Sequence, residues 1–596
     1  MIAILCKEGP PDEGLARKML AAALHRGNCV AVRTLGNCVL GVANRPDFVN
    51  GALSSDGDLI SVLSGRLDNG TELHGILAAA GVPPTSMADA DIVVAAFRAF
   101  GLDAPNRMRG AFAGIVSDGK TLWGFRDHIG FRPFFYRDEP RAFFAASEPR
   151  QIIVGANLSE EPDLDVLEKM FLGRMESDTP AALKGVARLA QATVLTVARG
   201  KALTLQRYWD PLNVVETARL PQYADVRDRF LELMEQAVSR TLTGKDVIFL
   251  SGGLDSPAVA AFAAPQHQRR FGRPLGALSA VFPDLPSVDE RQYIELVAER
   301  FGIELHTFRP TARPLDNVDE WCRLFGSPVP VLSIPEVSDA YSRARQLGYQ
   351  NVITGEFAEF VFGNTMHVVP HLLTHGRWRA LANLLLVERA RGTSARKLSA
   401  QLLSAFVPAR PAIWYLQWRG LDFPQRVPDW LDKRKVNEVP FRNDLLPSSR
   451  QRWRELQRVG TKGATITLEA DETAAAIAGV TIRRPLADID LWEFFLSLPA
   501  EIKHPDLRFK ALARSNLRGI VPDEILDRRG KTFFDDHIMK HLDYDSLERL
   551  LVQPRHRIPA VDYDRLAKRI EQRDLNRYDW FWVRDLAGIH AFLKAW

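Results

Sequence analysis

The 596-residue sequence contains few cysteines, and no two of the four, Cys6, Cys29, Cys38 and Cys322, are closely spaced. A disulfide framework or a zinc site is therefore not expected, and free thiols in a reducing compartment are the default. No uninterrupted apolar run approaches the roughly 20 residues that a membrane helix needs, and no basic flank precedes an apolar signal core. We expect a cytoplasmic protein with no membrane partner.

Internal repeats, low-complexity tracts and a strong overall charge are also missing. The chain has 77 Lys and Arg against 73 Asp and Glu, and 46% of its residues are hydrophobic. This composition is typical of a soluble globular protein with ample apolar surface to bury. Because the chain is too long for one hydrophobic core, we expect two domains, over residues 1–212 and 213–596.

The charge is unevenly distributed along the chain. Residues 377–458 hold 17 Lys and Arg against 7 Asp and Glu, and six tryptophans lie in or near this segment. They are Trp378, Trp414, Trp418, Trp430, Trp453 and Trp492. One interpretation is a solvated helical face with aromatics in the core, and the other is a dock for an acidic or extended partner. No recognised module supports a nucleic acid partner.

The motif with the most chemical content is Asp246-Val-Ile-Phe-Leu-Ser-Gly-Gly-Leu-Asp-Ser-Pro257. It predicts a buried strand that runs into a phosphate-binding turn. Gly252 and Gly253 let the backbone approach a ligand closely, and the following helix presents unpaired amides to an anion. Pro257 fits the first turn of that helix, where no N–H is needed.

Secondary-structure patterns divide the chain in the same way. Up to about residue 210, short apolar strands alternate with Gly, Asn and Asp turns, and helices are predicted near Gly14 to His25 and Asp91 to Phe100. A long amphipathic helix is predicted from about Tyr223 to Thr241. Strands near Val247, Leu278 and Val352 then alternate with helices, which favours a doubly wound parallel sheet whose ligand site lies at the carboxyl ends of the strands.

The glycine motif resembles the pyrophosphate loop of the adenine nucleotide alpha hydrolase superfamily. The resemblance implies a parallel-sheet ATP pyrophosphatase domain that splits ATP between the α and β phosphates and adenylates a substrate oxygen. Asp255 is then expected to hold Mg²⁺ against pyrophosphate, since this ion prefers hard oxygen ligands. The ATP and pyrophosphate residues implied by the resemblance are Leu250, Ser251, Gly252, Gly253, Leu254, Asp255, Ser256, Ser279, Thr354, Gly355, Arg529 and Lys531.

Several blocks of the first domain resemble the glutaminase domain of asparagine synthetases. These are the segments 25–27, 109–116, 125–136 and 146–150. The resemblance implies an Ntn-hydrolase-like layered α+β sandwich. That domain uses a cysteine at position 2 as nucleophile with its own amine as base, whereas this sequence has Ile2. Ser64-Gly-Arg66 replaces the glutamine-holding Asn-Gly-Glu block, so we predict a domain without glutaminase activity.

The segment Ile353-Thr-Gly-Glu-Phe-Ala-Glu-Phe-Val-Phe-Gly363 resembles the second signature loop of the synthetase half. Glu356 matches a position that helps to orient or deprotonate reactants, and it is one of two predicted catalytic residues. Glu359 stands where the family has Asp and is the second expected Mg²⁺ ligand. Phe357 replaces a glycine and Phe360 an acid, which predicts a more apolar pocket.

The segments 483–488, 508–514 and 522–534 resemble the closing blocks of the same family. Lys510 aligns with the lysine that contacts the α-phosphate and the tetrahedral transition state, and it is the other predicted catalytic residue. A fixed cation is useful there because negative charge grows as the amide forms. Arg529 and Lys531 are expected to neutralise pyrophosphate.

Three histidines, His367, His371 and His375, recur every four residues. Pro370 interrupts the segment, and no nearby Asp or Glu in the sequence completes a metal set or orients the rings. We expect no metal site here.

A chain with an ATP half and no glutaminase nucleophile need not use ammonia, because the acceptor nitrogen can belong to the substrate. Lasso peptide cyclases and β-lactam synthetases, which resemble asparagine synthetases, use a nitrogen of the substrate in this way. Of the two, we favour a lasso peptide cyclase. The enzyme would adenylate an Asp or Glu of a precursor peptide and close a ring on its N-terminal amine, with ATP and Mg²⁺ as cofactors. A leader-processing protease and a leader-binding protein are possible partners. The alternatives are a small-molecule cyclase, an ammonia-dependent asparagine synthetase and an inactive scaffold, and the sequence does not identify substrate, ring size or oligomeric state.

Overall fold

The structure is a computed structural model of the chain. It describes residues 1–45, 52–172, 175, 180–217, 223–329, 334–362, 368–404, 427–432, 434–435, 464–528 and 535–596. Most of the basic segment 377–458 thus lies outside the described residues, as do His367, Gly363, Arg529 and Lys531.

The first part of the chain forms two six-stranded sheets with helices. Its strands are β1 Ile2–Cys6, β2 Cys29–Leu35, β3 Cys38–Asn44, β4 Leu53–Asp56, β5 Leu59–Leu67, β6 Gly110–Ser117, β7 Thr121–Arg126, β8 Phe135–Asp138, β9 Ala142–Ala146, β10 Ala187–Arg188, β11 Thr193–Ala198 and β12 Thr204–Arg207. Its helices are α1 Glu13–Ala21, α2 Gly70–Ala79, α3 Asp89–Phe100, α4 Ala104–Arg107, α5 Pro149–Ala156 and α6 Leu164–Phe171. One sheet has the order β10-β8-β9-β1-β3-β2 and the other β12-β11-β7-β6-β5-β4.

The two sheets pack face to face with helices on their outer sides. Alternate residues of β1 show the arrangement, since a strand points successive side chains to opposite faces. Ala3 and Leu5 belong to the core between the sheets, whereas Ile2 and Ile4 face the layer that contains α1 and α5. On the other sheet, α3 packs against β4 and β5. The predicted layered α+β sandwich is therefore confirmed.

The second part contains one parallel sheet and most of the helices. Its strands are β13 Asp246–Phe249, β14 Gly276–Ala280, β15 Glu304–Phe308, β16 Asn351–Ile353 and β17 Thr481–Arg483. Its helices are α7 Tyr223–Thr241, α8 Asp255–Phe271, α9 Arg291–Phe301, α10 Val318–Phe325, α11 Ile334–Gln346, α12 Ala358–Val361, α13 Val368–Thr374, α14 Trp378–Ala390, α15 Ala395–Ser404, α16 Ala464–Ala478, α17 Ile489–Ser497, α18 Ala500–Lys503, α19 Ala511–Asn516, α20 Asp523–Leu526, α21 Asp535–Lys540, α22 Tyr544–Leu551, α23 Tyr563–Glu571 and α24 Arg577–Ala595.

The strand order of this sheet is β15-β14-β13-β16-β17, and every neighbouring pair is parallel. Val247 pairs with Gly276 on one side and with Val352 on the other, so β13 is the central strand. The order reverses between β13 and β16, and ligands of open α/β sheets bind at such a reversal, beyond the carboxyl ends of the strands. The predicted doubly wound sheet is confirmed, and its topology places the loops after β13 and β16 side by side. In the part of the chain that the structure describes, no helix is both long and apolar enough to cross a membrane.

Buried ion pairs join the two parts of the chain. Glu469 of α16 accepts from Arg126 at 2.7 Å and from Arg188 at 2.9 Å, and both arginines belong to the first part. Arg483 of β17 donates to Asp68 at 2.7 Å in the same way. Burying a charge is tolerated only when a partner of opposite charge compensates it. Each part of the chain therefore supplies the opposite charge that the buried groups of the other part need.

The described tryptophans in or near the basic segment have different roles. Trp430 is fully buried and donates to Asp579 at 2.9 Å, and Trp492 is buried and donates to the carbonyl of Leu486. Trp378 is 62% exposed at the start of α14. The core interpretation holds for the first two of these residues.

Candidate active site

The loop that follows β13 connects the central strand to helix α8. Hydrogen bonds between two serines connect the ends of this loop. The hydroxyl of Ser256 accepts from the amide of Ser251 at 2.9 Å and lies 3.0 Å from the Oγ of Ser251. Helix α8 begins at Asp255, so its N-terminus and these hydroxyls point to the same region beyond the sheet. Such a terminus favours a bound anion, because its first amides are unpaired and the helix dipole is positive there.

The first glycine of this loop is anchored from outside it. The amide of Gly252 donates to Glu290 at 2.9 Å, and Arg528 donates to the Gly252 carbonyl and, at 2.8 Å, to the other oxygen of Glu290. The guanidinium of Arg528 also lies 4.4 Å from the ring centroid of Tyr293. Sequence reasoning missed Glu290 and Arg528 and named the neighbouring Arg529 instead. The Gly252 amide is therefore used within the protein, and the Gly253 amide donates to the Ser251 hydroxyl at 3.4 Å. Leu254 and the first turn of α8 supply the amides for a phosphate.

Asp255 and Lys510 form the central ion pair of the site. The ammonium group of Lys510 is 2.5 Å and 2.6 Å from the two carboxylate oxygens. Lys510 is buried and has a φ of 62°, an unusual backbone conformation for a residue with a side chain, at the start of α19. This conformation costs on the order of 1–3 kcal/mol and is tolerated where the surroundings hold it in place. The geometry thus brings two sequence-predicted residues together.

The loop after β16 lies against the phosphate loop. A Cβ on Gly355 would be only 2.5 Å from the amide nitrogen of Ser256, so only glycine permits this approach. Phe357, which replaces a glycine of the family motif, keeps a left-handed φ of 71°. Its ring lies 5.3 Å from that of Phe131 and 5.8 Å from that of Trp492. The aromatic contacts offset a strained backbone, and they make this side of the site apolar, as the sequence predicted.

Glu356 is held by an arginine that the sequence did not identify. Arg484 donates to Glu356 at 2.6 Å, to Glu472 at 2.6 Å and also to Asp471. Burial raises the pKa of Asp471 to about 7, although the Arg484 guanidinium opposes this shift. The side chain of Glu356 itself is 51% exposed, so one edge of this carboxylate network faces solvent. A half-exposed carboxylate on a fixed guanidinium can accept a proton from a bound amine.

The remaining predicted residues lie at the rim of the site or outside the described part of the chain. Ser279 is buried, and its hydroxyl donates to the carbonyl of Leu250 at 2.8 Å, so it supports the loop. The hydroxyl of Thr354 donates to Glu356 at 3.3 Å. Glu359 is exposed in the first turn of α12. Arg529 and Lys531 stay predictions, because they are not among the described residues.

The donors present suit a magnesium nucleotide. Asp255 supplies hard carboxylate oxygens, and Glu359 is an exposed carboxylate after the neighbouring strand β16. Lys510, the serine hydroxyls and the helix terminus supply positive charge and hydrogen-bond donors for phosphates. Mg²⁺ in such sites is held by one or two carboxylates together with phosphate oxygens. Asp255 and Glu359 would hold the ion, which supplies charge neutralisation for the departing pyrophosphate.

The histidine segment differs from its prediction in one respect. A carboxylate does orient one of these rings: His371 lies 3.2 Å from Glu216, a residue 155 positions earlier in the sequence. Burial alone would raise the pKa of Glu216, but the hydrogen bond and charge of His371, with Arg377, lower it to about 2. Lys503 is fully buried in this region, and burial lowers its pKa to about 7. The expectation of an unoriented ring was wrong because the partner is remote in sequence.

In the first part of the chain, a buried core residue occupies position 2, where glutaminase domains have their nucleophile. Ile2 is fully buried in β1, with strands β3 and β9 on either side. Arg66, in place of the acid of the glutamine-holding block, is buried and donates to Asp68 at 2.9 Å. Arg66 also lines a cavity of about 20 Å³ between the two parts of the chain, together with Arg240 and Arg484. A cavity of this size holds about one water molecule.

Comparison with known proteins agrees with this division. The Asparagine synthase family matches residues 229–596, and the Glutamine amidotransferase domain matches residues 2–209. A parallel sheet with a phosphate loop, joined to a glutaminase-type sandwich, defines an ATP-dependent ligase that forms C–N bonds. The chain belongs to the asparagine synthase family.

Its relatives include proteins with different reactions. Asparagine synthetase [glutamine-hydrolyzing] 3 of Bacillus subtilis strain 168 is 25% identical over 508 residues, which cover 82% of this chain and 77% of that protein. Asparagine synthetase [glutamine-hydrolyzing] 1 of the same organism is 21% identical over 482 residues, 78% of this chain and 74% of that protein. Carboxyethyl-arginine beta-lactam-synthase of Streptomyces clavuligerus is 27% identical over 209 residues, 34% of this chain and 37% of that protein.

Proposed function

We propose that this ligase adenylates the carboxylate of an Asp or Glu side chain in a precursor peptide and closes an amide on the peptide's own N-terminal amine. It would thus be a lasso peptide macrolactam cyclase. The observation that carries the proposal is the buried Ile2, which stands where glutaminase domains have a nucleophile. Without that nucleophile the domain has no group to release ammonia from glutamine, so the substrate itself supplies the nitrogen.

In the first step, the substrate carboxylate oxygen attacks the α-phosphorus of ATP and pyrophosphate leaves. The phosphates are bound by the Leu254 amide, the hydroxyls of Ser251 and Ser256 and the N-terminus of α8. Lys510 exchanges its contact with Asp255 for the α-phosphate, which frees the Asp255 carboxylate for Mg²⁺. The phosphate-binding groups of the loop and of α8 are already in place in the folded protein, so only the Lys510–Asp255 pair rearranges.

In the second step, the amine nitrogen attacks the acyl carbon, a tetrahedral intermediate forms, and AMP leaves as the C–N bond is completed. Glu356 accepts the proton that the attacking amine loses, because its carboxylate is held at the edge of the site by Arg484. Lys510 stabilises the negative charge on the tetrahedral oxygen and on the departing phosphate. The apolar side formed by Phe357 and Trp492 excludes water, which would otherwise hydrolyse the adenylate.

A small-molecule cyclase is the second candidate, and the partial similarity to a beta-lactam-synthase favours it. A peptide substrate is favoured by the exposed Trp378 and Leu386 of α14, eight residues apart on one helix face, since apolar side chains of this size suit an extended partner. A leader-binding protein and a leader-processing protease are proposed as partners in the peptide case.

ATP–pyrophosphate exchange with a panel of acids separates the two candidates. The panel contains peptides with an Asp or Glu at successive distances from a free N-terminus, N-acetylated copies of these peptides, and small β-amino acids. We expect exchange with a subset of peptides, and a product that has lost one water from the free peptide but not from the acetylated copy. The Asp255→Asn protein, which should form no adenylate, serves as the inactive control. Exchange with the small acids alone would replace the peptide proposal by the second candidate.

A further inference from the structure

Arg484 connects the protein interior to the candidate active site. Its side chain is only 3% exposed, whereas that of its partner Glu356 is half exposed. The same guanidinium contacts Glu472, 2.6 Å away, and Asp471, both on helix α16. One cation therefore serves three carboxylates, and only one of the three reaches the site.

The first part of the chain contributes the other side of this network. The ring of Phe131 lies 4.9 Å from the guanidinium carbon of Arg484, and Arg132 lies 3.2 Å from the carboxylate of Glu472. The loop that carries them is held by Asp127, whose Oδ1 accepts from the amides of residues 129, 130 and 131 at 3.0, 2.7 and 3.1 Å. Phe131 and Arg132 are thus presented by a fixed loop of the glutaminase-type sandwich.

The charges show why this support matters. Glu356, Glu472 and Asp471 accept from Nε, Nη1 and Nη2 of Arg484, so a shift of this guanidinium toward one carboxylate takes it away from the others. Arg132 provides a second cation, at Glu472. Without Arg132, the guanidinium of Arg484 is drawn toward the buried Glu472 and away from the half-exposed Glu356. The hydroxyl of Thr354 also donates to the Glu356 side chain, but over a longer distance of 3.3 Å.

We propose that Arg484 is a positioning residue for Glu356, and that the glutaminase-type domain holds it in place through Phe131 and Arg132. The proposal rests on the proposed function in that it takes Glu356 as the base for amide closure. A domain that has lost its own nucleophile then acts on the synthetase reaction through the domain interface.

Two readouts test the proposal, and the first needs no substrate. Water-soluble carbodiimide with glycinamide modifies accessible carboxylates, and peptide mapping by mass follows the rate at Glu356. Ion pairing protects a carboxylate, so we expect Arg484→Met to increase this rate about tenfold and Arg132→Met to increase it less, in the same direction. Arg109→Met is the matched control, because Arg109 pairs across the same interface with Asp490 at 2.8 Å without touching this network.

The second readout is amide formation with the acid that gives the strongest pyrophosphate exchange in the wild-type protein. We expect Arg484→Met to lower kcat about 10²-fold with KM for ATP little changed, because a displaced base costs about this much. Arg484→Lys should recover part of the loss. Since Arg484→Met leaves Asp471 and Glu472 buried without this cation, the variant that also carries Asp471→Asn and Glu472→Gln tests the same point in a folded protein.

The outcomes separate the two proposals. Wild-type labelling and kcat in the Arg484 variants, or an equal change in Arg109→Met, would overturn the positioning role. Faster labelling of Glu356 in a protein that forms no amide with any acid of the panel would support the positioning role and reject the proposed function.

Discussion

Lys510 donates to both carboxylate oxygens of Asp255, which is 255 residues earlier in the chain. The residue assigned to the transition state thus neutralises the residue assigned to the metal until the nucleotide arrives. In the proposed reaction the two side chains would exchange this contact for phosphate and Mg²⁺. Mutations on either side of this pair therefore affect different steps.

Lys510 is expected to matter most after adenylation, when negative charge accumulates on the tetrahedral oxygen and the α-phosphate. Lys510→Ala should reduce product formation about 10² to 10³-fold, the loss typical of one transition-state donor, while ATP affinity changes far less. Nucleotide binding by equilibrium dialysis and cyclised product by mass are measured on the same protein. An equal loss in both would assign Lys510 to ground-state ATP binding.

The two acids are expected to act on adenylation. Asp255→Asn and Glu359→Gln should each abolish AMP formation, because each removes a charge from a metal site with few protein ligands. Chelation of Mg²⁺ should have the same effect on the wild-type protein, and added Mg²⁺ should restore activity. Glu299→Gln, on the exposed side of α9, is the matched control. Normal AMP formation in either test variant would show that the wrong acid was chosen.

Glutamine hydrolysis is expected to be absent. Ile2 is buried between two strands, and Arg66 replaces the acid that should hold the substrate amide. Incubation of the protein with glutamine should release no glutamate above a blank without enzyme. Glutamate release that a mutation in the sandwich abolishes would contradict this expectation.

Phe357 offers a test of backbone strain. At a φ of 71° glycine is unstrained, whereas alanine keeps the cost of the left-handed conformation. We expect Phe357→Gly to be more stable than Phe357→Ala by about 1 kcal/mol, although both lose the aromatic contacts. Urea unfolding of the two variants measures the difference. Equal stability would mean that the loop relaxes once the ring is gone.

Lys503 predicts a dependence of stability on pH. Its pKa is about 7 in the folded protein, against 10.5 as the ordinary value, so between these two pH values the unfolded chain binds one more proton than the folded protein. Stability should therefore rise with pH over this window. Below pH 7 the folded protein carries the charged ammonium, and the full free-energy cost of burying it applies. Lys503→Met cannot bind this proton, so stability should rise less between pH 6 and pH 9 in this variant than in the wild-type protein. Melting curves of both proteins at the two pH values test this, and a shift that is the same at both would contradict it.

Features that depend on neighbouring residues could be predicted from the sequence. The phosphate loop, the parallel sheet and the long helix over 223–241 follow from local patterns of apolar residues and glycines. Lys510 was found through a motif, although nothing local indicates its contact with Asp255.

Features that depend on distant residues could not be predicted in this way. Glu290 and Arg528 meet at Gly252, and Glu216 meets His371, across intervals at which sequence patterns carry no signal. The same holds for Arg484, because its three carboxylates become neighbours only after β16, β17 and α16 pack together. Ionic contacts between remote elements are a property of the fold rather than of a motif.

The acids of helix α16 make the synthetase half depend on the N-terminal sandwich. Glu469 and Glu472 lie in the interior, and Arg126, Arg188 and Arg132 of the sandwich supply cations to them. A deletion that removed the sandwich would leave these carboxylates unpaired at a new surface and would uncover the apolar residues beside them. Even if the sandwich releases no ammonia, as we propose, the synthetase half could lose it only after these acids were replaced by residues that tolerate water.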